Sequence, residues 1–266
     1  MAVEIKSPKE IDLMRKVCHL AAETLLVAGD QLRPGMTTLD IDRIVHEHTL
    51  SQGARPAPLN YKGFPKSVCT SVNEIVCHGI PDATVLRNGD IVNIDVTHIY
   101  EGFHGDTSAT FYVGTPSPET RRLVEVARRS LDVGIAEVRE GARLGDIGAA
   151  IQEYVEGEGC SVVRDFVGHG IGRKFHDAPQ VKHYGKRGTG ERLRAGMTFT
   201  IEPMVNLGGW EVEVDADDKW TVRTADRSLS AQFEHTLLVT RDGVEILTAR
   251  GRSLRNSENV AALFVA

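Results

Sequence analysis

The chain has 266 residues, of which 41% are hydrophobic and 26% charged, and its formal net charge is −6 at pH 7. This length allows one large domain or two small ones, and the composition is that of a globular protein without a disorder signature. The sequence has no apolar stretch near the roughly 20 residues that span a bilayer. The N-terminus, MAVEIKSPKEIDLMRK, is too charged for a secretory signal, and we expect none. The negative net charge argues against nonspecific nucleic-acid binding, although a local basic patch would be compatible with it.

The cysteines indicate neither a zinc ribbon nor a disulfide framework. Cys18, Cys69, Cys77 and Cys160 show no CxxC or related spacing, and a chain of this size does not need disulfides to stabilise a core. We therefore expect reduced thiols and a cytoplasmic protein.

Two pairs of amphipathic helices are predicted, one pair in each half of the chain. The first helix of each pair begins at a Ser-Pro dipeptide, at Ser7 and at Ser117. Serine can cap a helix there, and proline suits its first position. Apolar residues then recur at helical spacing. The second helices are predicted in GMTTLDIDRIVHEHTLSQG (35–53) and GARLGDIGAAIQEYVEGEG (141–159), and each is closed by glycine.

Each half also contains a predicted strand that ends in an acid. LRNGDIVNID (86–95) has a turn followed by an apolar β-type run that ends at Asp95. A carboxylate in a buried strand needs a partner. LRAGMTFTIE (193–202) begins 107 positions later and repeats Leu-Arg-x-Gly, the apolar strand and the final acid, Glu202. The two acids therefore occupy matching positions.

Histidines and further acids surround both strands. VCHGI precedes the first strand and VGHGI the second, so His78 matches His169. After each strand comes a second acid, Asp106 ahead of the run ATFYV and Glu234 ahead of the run TLLV. The repeated order of these features predicts a duplicated α+β architecture.

This duplication is expected within a single catalytic domain, 1–266, with repeats at roughly 7–113 and 117–240. Two such halves would be related by a pseudo-twofold axis, and matching strand ends would converge near it. Asp95 would then lie close to Glu202.

The convergence predicts a metal centre. Four carboxylates within a few ångströms repel one another and raise each other's pKa, and two divalent cations would cancel their charge. Oxygen-rich ligation with an imidazole suits manganese, iron, cobalt or zinc, whereas a structural zinc site would be richer in cysteine. Two metals roughly 3.5–4 Å apart can activate water for hydrolysis. The predicted ligands are Asp95, Asp106, His169, Glu202 and Glu234.

Simpler interpretations exist for each residue taken alone. A single strand carboxylate usually faces solvent or forms a salt bridge, and His78 or His176 could be a structural loop histidine. The segment HEHTL, with His46 and His48, lacks the second histidine of HExxH and is interpreted as structural. GHGIG lacks the third glycine of GxGxxG, and no GxSxG nucleophile elbow occurs.

Six segments resemble the signature blocks of bacterial type I methionine aminopeptidases: CHGIPD, GDIVNIDVT, GFHGDTS, GHGIGRKFHDAP, GMTFTIEPM and SAQFEHT. The resemblance extends from about Ile5 to Thr248. It implies the pita-bread fold, with duplicated halves and an antiparallel sheet covered by helices. It also implies metal-dependent removal of the initiator methionine when the second residue is small. We expect neither the extra N-terminal domain of proline-specific relatives, nor the zinc-finger extension of eukaryotic type I enzymes, nor the helical insertion of type II.

The resemblance also assigns the ligands. Asp95 would chelate one metal, His169 and Glu202 would hold the other, and Asp106 and Glu234 would bridge the pair. The metals would be Co, Mn, Fe or Zn.

Further roles follow from the same resemblance. His78 and His176 match two histidines that contact the substrate, and with Glu202 they are the expected catalytic residues. Asn73 and Ser230 resemble contributors to a separate monovalent-cation site. The expected wall of the methionine pocket comprises Tyr61, Phe64, Cys69, Phe175 and Trp220.

Two positions depart from the family pattern. Phe64 stands where relatives often have tyrosine, and Pro58 stands where they often have cysteine. Neither is expected to touch the metals, so the departures affect inhibitor preference and fine specificity rather than the reaction.

The expected partners are the N-termini of nascent polypeptides, with transient ribosome association, and the protein is expected to be a monomer without membrane or specific nucleic-acid partners. Two alternatives remain. One is a non-enzymatic adaptor that kept the fold, and loss of metal ligands would favour it. The other is an Xaa-Pro peptidase, which release of Xaa from Xaa-Pro peptides would identify.

Overall fold

Two pairs of α-helices frame the molecule within residues 3–249, which are the residues that the computed structural model describes. Residues 1–2 and 250–266 of the expected domain lie outside this range. The first pair packs in one half and the second pair in the other, as the sequence predicts. The helices are α1 (Pro8–Gln31), α2 (Thr38–Ser51), α3 (Pro118–Ala136) and α4 (Leu144–Gly157).

Both Ser-Pro helix starts form as predicted. The Glu10 carboxylate accepts hydrogen bonds from the Ser7 backbone N–H at 3.0 Å and from its hydroxyl at 2.8 Å. At the start of α3, the Ser117 hydroxyl accepts the backbone N–H of Thr120 at 3.1 Å. These caps satisfy N–H groups that the first turn of a helix would leave without a partner.

The strands that the structure describes are short except for two. In the first half they are β1 (Arg55–Pro56), β2 (Cys69–Val72), β3 (Ile75–Cys77), β4 (Ile91–Tyr100) and β5 (Phe103–Tyr112). A single 3₁₀ turn, Tyr61–Gly63, precedes β2. In the second half they are β6 (Ser161–Val162), β7 (Gly168–Gly170), β8 (Asp177–Val181), β9 (Thr198–Ile201), β10 (Met204–Asn206), β11 (Val212–Val214), β12 (Val222–Thr224), β13 (Ser230–Gln232), β14 (His235–Val239) and β15 (Val244–Ile246).

These strands form antiparallel sheets. In the first half, β4 is central and pairs with β1, β2 and β5. Its ladder with β5 extends over ten residue pairs, from Ile91 opposite Tyr112 to Tyr100 opposite Phe103. The largest sheet of the second half has the order β15-β14-β9-β7-β8, and two three-stranded sheets complete the fold, β13-β10-β6 and β11-β12-β3. The α+β class predicted from the sequence is confirmed.

The two halves meet where β5 contacts the start of β14. The Thr236 hydroxyl donates to the Asp106 carbonyl at 2.8 Å, and the Thr107 hydroxyl donates to the Glu234 carbonyl at 2.9 Å. The Glu234 backbone N–H donates to the Ser108 carbonyl at 3.0 Å. The backbone of two predicted metal ligands therefore lies in the contact between the halves.

The predicted strand boundaries were wrong at two acids. Asp95 lies in the middle of β4 rather than at its end, and Asp106 lies inside β5 rather than ahead of its strand. The strand continues past Asp95 because its next polar side chains have buried partners. The Thr97 hydroxyl donates to Asp106 at 2.7 Å, and the His98 ring contacts the Thr49 hydroxyl at 2.8 Å.

The four cysteines of the sequence all lie within residues 3–249. All four cysteines are buried free thiols. None of the helices in this range has the length and apolar character of a membrane span.

Gly105 provides a test of how closely α1 packs on β5. A Cβ atom at Gly105 would lie 2.7 Å from the backbone N of Cys18 and 2.7 Å from the carbonyl carbon of Val17. We expect Gly105→Ala to lower the free energy of unfolding by about 1–3 kcal/mol, because helix backbone has to move. Gly157→Ala is the matched control, since a Cβ there meets no atom within 4 Å. Urea unfolding measures both, and equal stability of the two variants would contradict the packing.

Candidate metal centre

The five predicted metal ligands come from five separate segments. Asp95 and Asp106 project from the paired strands β4 and β5, and His169 lies in β7. Glu202 directly follows β9, and Glu234 directly precedes β14. All five line one cavity of about 290 Å³. The predicted convergence of the two halves on one cluster is present in the structure.

Within this cluster the polar atoms lie close together. Asp106, His169 and Glu234 each offer a ligand atom, and these atoms all lie within 4.8 Å of one another. His169 Nε2 is 3.7 Å from Asp106 Oδ2 and 3.7 Å from Glu202 Oε1. These distances exceed those of hydrogen bonds, so the atoms face a shared point without bonding to each other.

The acids are buried together, and this opposes their ionisation. Burial raises the pKa of Asp95 to about 6 and that of Glu202 to about 8. The pKa of Asp106 is raised well above its usual value by burial and by the neighbouring charges of Asp95 and Glu202. Desolvation and like charge are the two effects that favour the neutral carboxylic acid. A protein that keeps these groups ionised at neutral pH needs positive charge among them.

Asp95 provides the most direct sign of a missing partner. Its Oδ1 atom is buried and has no hydrogen-bond partner among residues 3–249. Buried carboxylate oxygens are normally hydrogen-bonded or bound to metal. A hard or borderline divalent cation fits this donor set, because carboxylates and one imidazole are the ligands that Mn, Fe, Co and Zn accept.

His169 is held in the form that can bind a cation. Its Nδ1 lies 3.1 Å from the Gly170 carbonyl oxygen. A carbonyl only accepts, so Nδ1 carries the proton and Nε2 presents its lone pair toward Asp106 and Glu202. Burial lowers the pKa of His169 to about 4, so the ring is neutral. Such a backbone partner on the other nitrogen is common for metal-binding histidines.

Polar neighbours two residues from the acids hold the carboxylates, and the sequence analysis missed them. Thr97 donates to Asp106 Oδ1 at 2.7 Å, and Thr200 donates to Glu202 Oε1 at 2.7 Å. Gln232 contacts Glu202 Oε2 at 3.3 Å. The available signal was strand alternation, since residues i and i+2 share a face. Thr97 lies two residues after Asp95, and Thr200 lies two residues before Glu202.

His183 is a further neighbour that the sequence analysis missed. Its Nε2 accepts the backbone N–H of Glu202 at 3.1 Å. The ring is fully buried, and burial lowers its pKa to about 3, so it acts as a neutral acceptor. No motif marks His183 in the sequence, because the contact is made to backbone nineteen residues away.

Aromatic side chains form the wall of the cavity beside these acids. The five predicted wall residues all line it. Phe64 is buried and packs edge-on against Trp220, with ring centroids 5.3 Å apart. Tyr61 packs against Phe175 at 4.9 Å. Phe166, which the sequence analysis did not select, also lines the wall and packs edge-on against His78.

Both predicted substrate-contacting histidines line the same cavity. His78 has a left-handed backbone conformation, with φ of 56°, and its ring packs edge-on against Phe166 and Trp220. The His176 ring lies 4.3 Å from that of His169, and its Nδ1 is 3.0 Å from the Tyr61 hydroxyl. Backbone conformations of this kind at non-glycine residues cluster at functional sites.

The two residues expected at a monovalent-cation site also lie together. The Ser230 backbone N–H donates to the Asn73 carbonyl at 2.9 Å. The Asn73 side chain bonds to Asp90 and to the backbone of Ile91, while the Ser230 hydroxyl is buried without a hydrogen-bond partner among residues 3–249. Cation binding there stays a prediction.

Comparison with known proteins agrees with this geometry. The profile of Metallopeptidase family M24 matches residues 12–241. Methionine aminopeptidase A from Synechocystis is 56% identical over 247 residues, which cover 92% of this chain and 97% of that protein. The chain belongs to the methionine aminopeptidases of metallopeptidase family M24. The family assignment and the buried Asp106–His169–Glu234 group together support the use of a divalent metal.

Two solved structures show the same fold. The crystal structure of methionine aminopeptidase from Rickettsia prowazekii superposes with a TM-score of 0.92 at 53% identity, covering 93% of this chain and 100% of that one. The prolidase from Pyrococcus horikoshii superposes with a TM-score of 0.74 at 21% identity, covering 94% of this chain and 65% of that one. The expected pita-bread fold is therefore confirmed, whereas the repeat limits at 7–113 and 117–240 stay a prediction.

The raised pKa values predict how the stability of the metal-free protein varies with pH. Glu202 has an ordinary pKa of 4.5 and a folded-state pKa of about 8. At this carboxyl group the folded state binds more protons than the unfolded chain between about pH 4.5 and pH 8, so its contribution to stability is lost as the pH rises through that range. Below about pH 6.5 five neutral histidines act in the opposite direction, because burial lowers their folded-state pKa values to about 3 or 4: His78, His98, His169, His176 and His183.

We therefore expect protein freed of metal by a chelator to unfold at a lower temperature at about pH 8 than at about pH 6.5. Saturating Mn²⁺ should remove this difference. Glu202→Gln has no carboxylate to ionise at this position, so its decline should be smaller. Differential scanning calorimetry measures both proteins. A chelated protein that gains stability over this range would contradict the burial of ionisable acids in the cluster.

Proposed function

We propose that the protein hydrolyses the first peptide bond of polypeptides that begin with methionine and have a small second residue. The observation that carries this proposal is the position of the acid cluster. Four carboxylates and His169 lie in a cavity whose other wall is aromatic. A hydrolytic centre therefore adjoins a surface suited to a thioether side chain.

The proposed cofactor is a pair of divalent cations, Mn, Fe, Co or Zn. When all four carboxyl groups are ionised they carry a charge of −4, which two divalent cations would balance. Asp95 would chelate one cation, His169 and Glu202 would hold the other, and Asp106 and Glu234 would bridge them. Bound cations of this kind polarise a carbonyl group and lower the pKa of water.

Glu202 is the proposed proton carrier. Its carboxylate is held by Thr200 at one oxygen and by Gln232 at the other. Glu202 would accept a proton from the attacking water and deliver it to the nitrogen of the leaving amine.

His78 and His176 are the proposed contacts to the substrate backbone. Both line the cavity beside the cluster, His176 next to His169 and His78 next to Trp220. A neutral imidazole there can donate one hydrogen bond to the carbonyl oxygen of the cleaved bond, where negative charge develops.

The aromatic wall is the proposed methionine pocket. Phe64, Phe175 and Trp220 present rings around the cavity. A flexible thioether adapts to such a surface, and each sulfur–aromatic contact contributes about 0.3–1.5 kcal/mol. Phe64 is buried against Trp220 and so adds apolar contact without a hydroxyl at this position.

The proposed substrates are N-termini of newly made polypeptides in the cytoplasm. Transient ribosome association, a monomeric state and the absence of a specific nucleic-acid partner stay predictions. An Xaa-Pro peptidase is less favoured, because the prolidase from Pyrococcus horikoshii is similar at only 21% identity. An adaptor without activity is less favoured because all five proposed ligands line the cavity.

Substrate preference tests the proposal. We expect release of methionine from Met-Ala-Ser and much slower release from a peptide with a bulky second residue such as Met-Leu-Ser, because the second side chain would face the rim of a cavity of about 290 Å³. Chromatography of the products measures both rates. Preferential cleavage of Xaa-Pro peptides would instead identify the proline-specific alternative.

Removal of metal or of a ligand tests the proposed centre. We expect chelation to abolish activity and Mn²⁺, Fe²⁺ or Co²⁺ to restore it. His169→Ala should lower kcat/KM by more than about 100-fold, because loss of a direct ligand should exceed the 10–100-fold effect of its neighbours. His19→Ala is the control, since His19 lies on the surface beside Glu23. Cleavage of Met-Ala-Ser by His169→Ala at the parent rate, with metal present, would disprove the ligand assignment.

A further inference from the structure

Tyr61 lies in a tight turn that presents its hydroxyl to the cavity. Its backbone N–H donates to the Pro58 carbonyl at 2.9 Å, and its carbonyl accepts the N–H of Phe64 at 2.9 Å. Asn60 and Lys62 on either side have left-handed backbone conformations, with φ of 66° and 48°. Such conformations are costly in non-glycine residues and persist where surrounding contacts fix them. The turn therefore holds Tyr61 in one position.

This position brings the Tyr61 ring onto His176. The two rings have centroids 5.3 Å apart and are inclined by 30°, and the Tyr61 ring also packs against Phe175. The hydroxyl oxygen lies 3.0 Å from Nδ1 of His176. The other ring nitrogen, Nε2, has no hydrogen bond to residues 3–249.

His169, the neighbouring histidine, has a different kind of hydrogen-bond partner at its Nδ1 atom. Nδ1 of His169 faces the Gly170 carbonyl, which can only accept a hydrogen bond. The proton of His169 is therefore on Nδ1 and its Nε2 is a lone pair. Nδ1 of His176 instead faces a hydroxyl, which can donate. The centroids of the two rings are 4.3 Å apart. The carbonyl partner fixes the tautomer of His169, whereas the hydroxyl partner allows His176 to adopt the other tautomer.

We propose that the Tyr61 hydroxyl donates to His176 Nδ1 and thereby fixes the proton of His176 on Nε2. His169 would then serve as a ligand and His176 as a hydrogen-bond donor to the carbonyl oxygen of the cleaved bond. Tyr61 is a positioning residue in this arrangement, in addition to forming part of the pocket wall. The inference rests on the proposed function only for the identity of the bond that His176 faces.

The opposite hydrogen-bond direction would defeat this role. If Nδ1 of His176 donated to the tyrosine oxygen, Nε2 would present a lone pair to an oxygen that gains negative charge. Two acceptors would then face each other, which is unfavourable. The direction of this single hydrogen bond therefore decides whether His176 can stabilise the reaction.

A double-mutant cycle distinguishes the effect of Tyr61 on His176 from its contribution to the pocket wall. Tyr61→Phe keeps the ring and removes the hydroxyl, and we expect kcat for Met-Ala-Ser to fall about ten- to a hundredfold with little change in KM. This is less than the 10²–10³-fold effect of deleting a whole donor, because the imidazole remains. His176→Gln places an amide N–H near the position of Nε2 without needing a tautomer. In that background Tyr61→Phe should have no further effect.

The tautomer itself can be measured without reference to activity. In zinc-loaded protein with ¹⁵N-labelled histidine, the signals of His176 are those that disappear in His176→Gln. We expect Nε2 of the parent protein to be protonated and Nδ1 to be unprotonated and hydrogen-bonded. In Tyr61→Phe, the hydrogen-bond shift of Nδ1 should vanish. Tyr184→Phe, outside this cavity, is the control and should match the parent in both experiments.

Each outcome has a distinct meaning. A parent protein that releases no methionine would refute the proposed function and leave the tautomer measurement valid. An active parent with the His176 proton on Nδ1 would overturn the inference. An equal loss of kcat from Tyr61→Phe in the parent and in His176→Gln would also overturn it, because the hydroxyl would then act independently of His176.

Discussion

Electrostatic repulsion among buried carboxylates is the constraint on which this structure depends. Asp95, Asp106 and Glu202 are withdrawn from water, and burial raises the pKa of each. One oxygen of Asp95 has no hydrogen-bond partner among the described residues. Such an arrangement is unfavourable for a bare protein and becomes favourable when divalent cations lie among the acids. The long β4–β5 ladder and the contact between the halves hold the acids together before any cation binds.

The sequence was sufficient for the helix pairs and the acid cluster because these features recur. The matching positions of Asp95 and Glu202, and of Asp106 and Glu234, indicated convergence without knowledge of the sheets. Strand limits were harder to predict. The apolar run weakens after Asp95, while the actual strand continues through Thr97 and His98, whose polar groups are satisfied only by residues from other elements. A local pattern cannot show such partners.

The sequence also did not predict the hydrogen bonds that hold Glu202. Thr200 and Gln232 reach Glu202 from different strands, and the His183 ring meets the backbone of Glu202. The sequence identified His176 as a site residue, but it did not show which of its ring nitrogens carries the proton. The proton position of an imidazole depends on whether its neighbour donates or accepts, and a carbonyl can only accept whereas a hydroxyl can also donate. This difference is the basis of the roles proposed for His169 and His176.

We propose that the acid cluster binds two divalent cations. Anomalous diffraction from crystals of the protein saturated with Mn²⁺, measured on both sides of the metal absorption edge, tests it directly. We expect two peaks among Asp95, Asp106, His169, Glu202 and Glu234, with the carboxylates of Asp106 and Glu234 close to both. A saturated crystal with no peak in this cluster, or with its metal bound elsewhere, would contradict it.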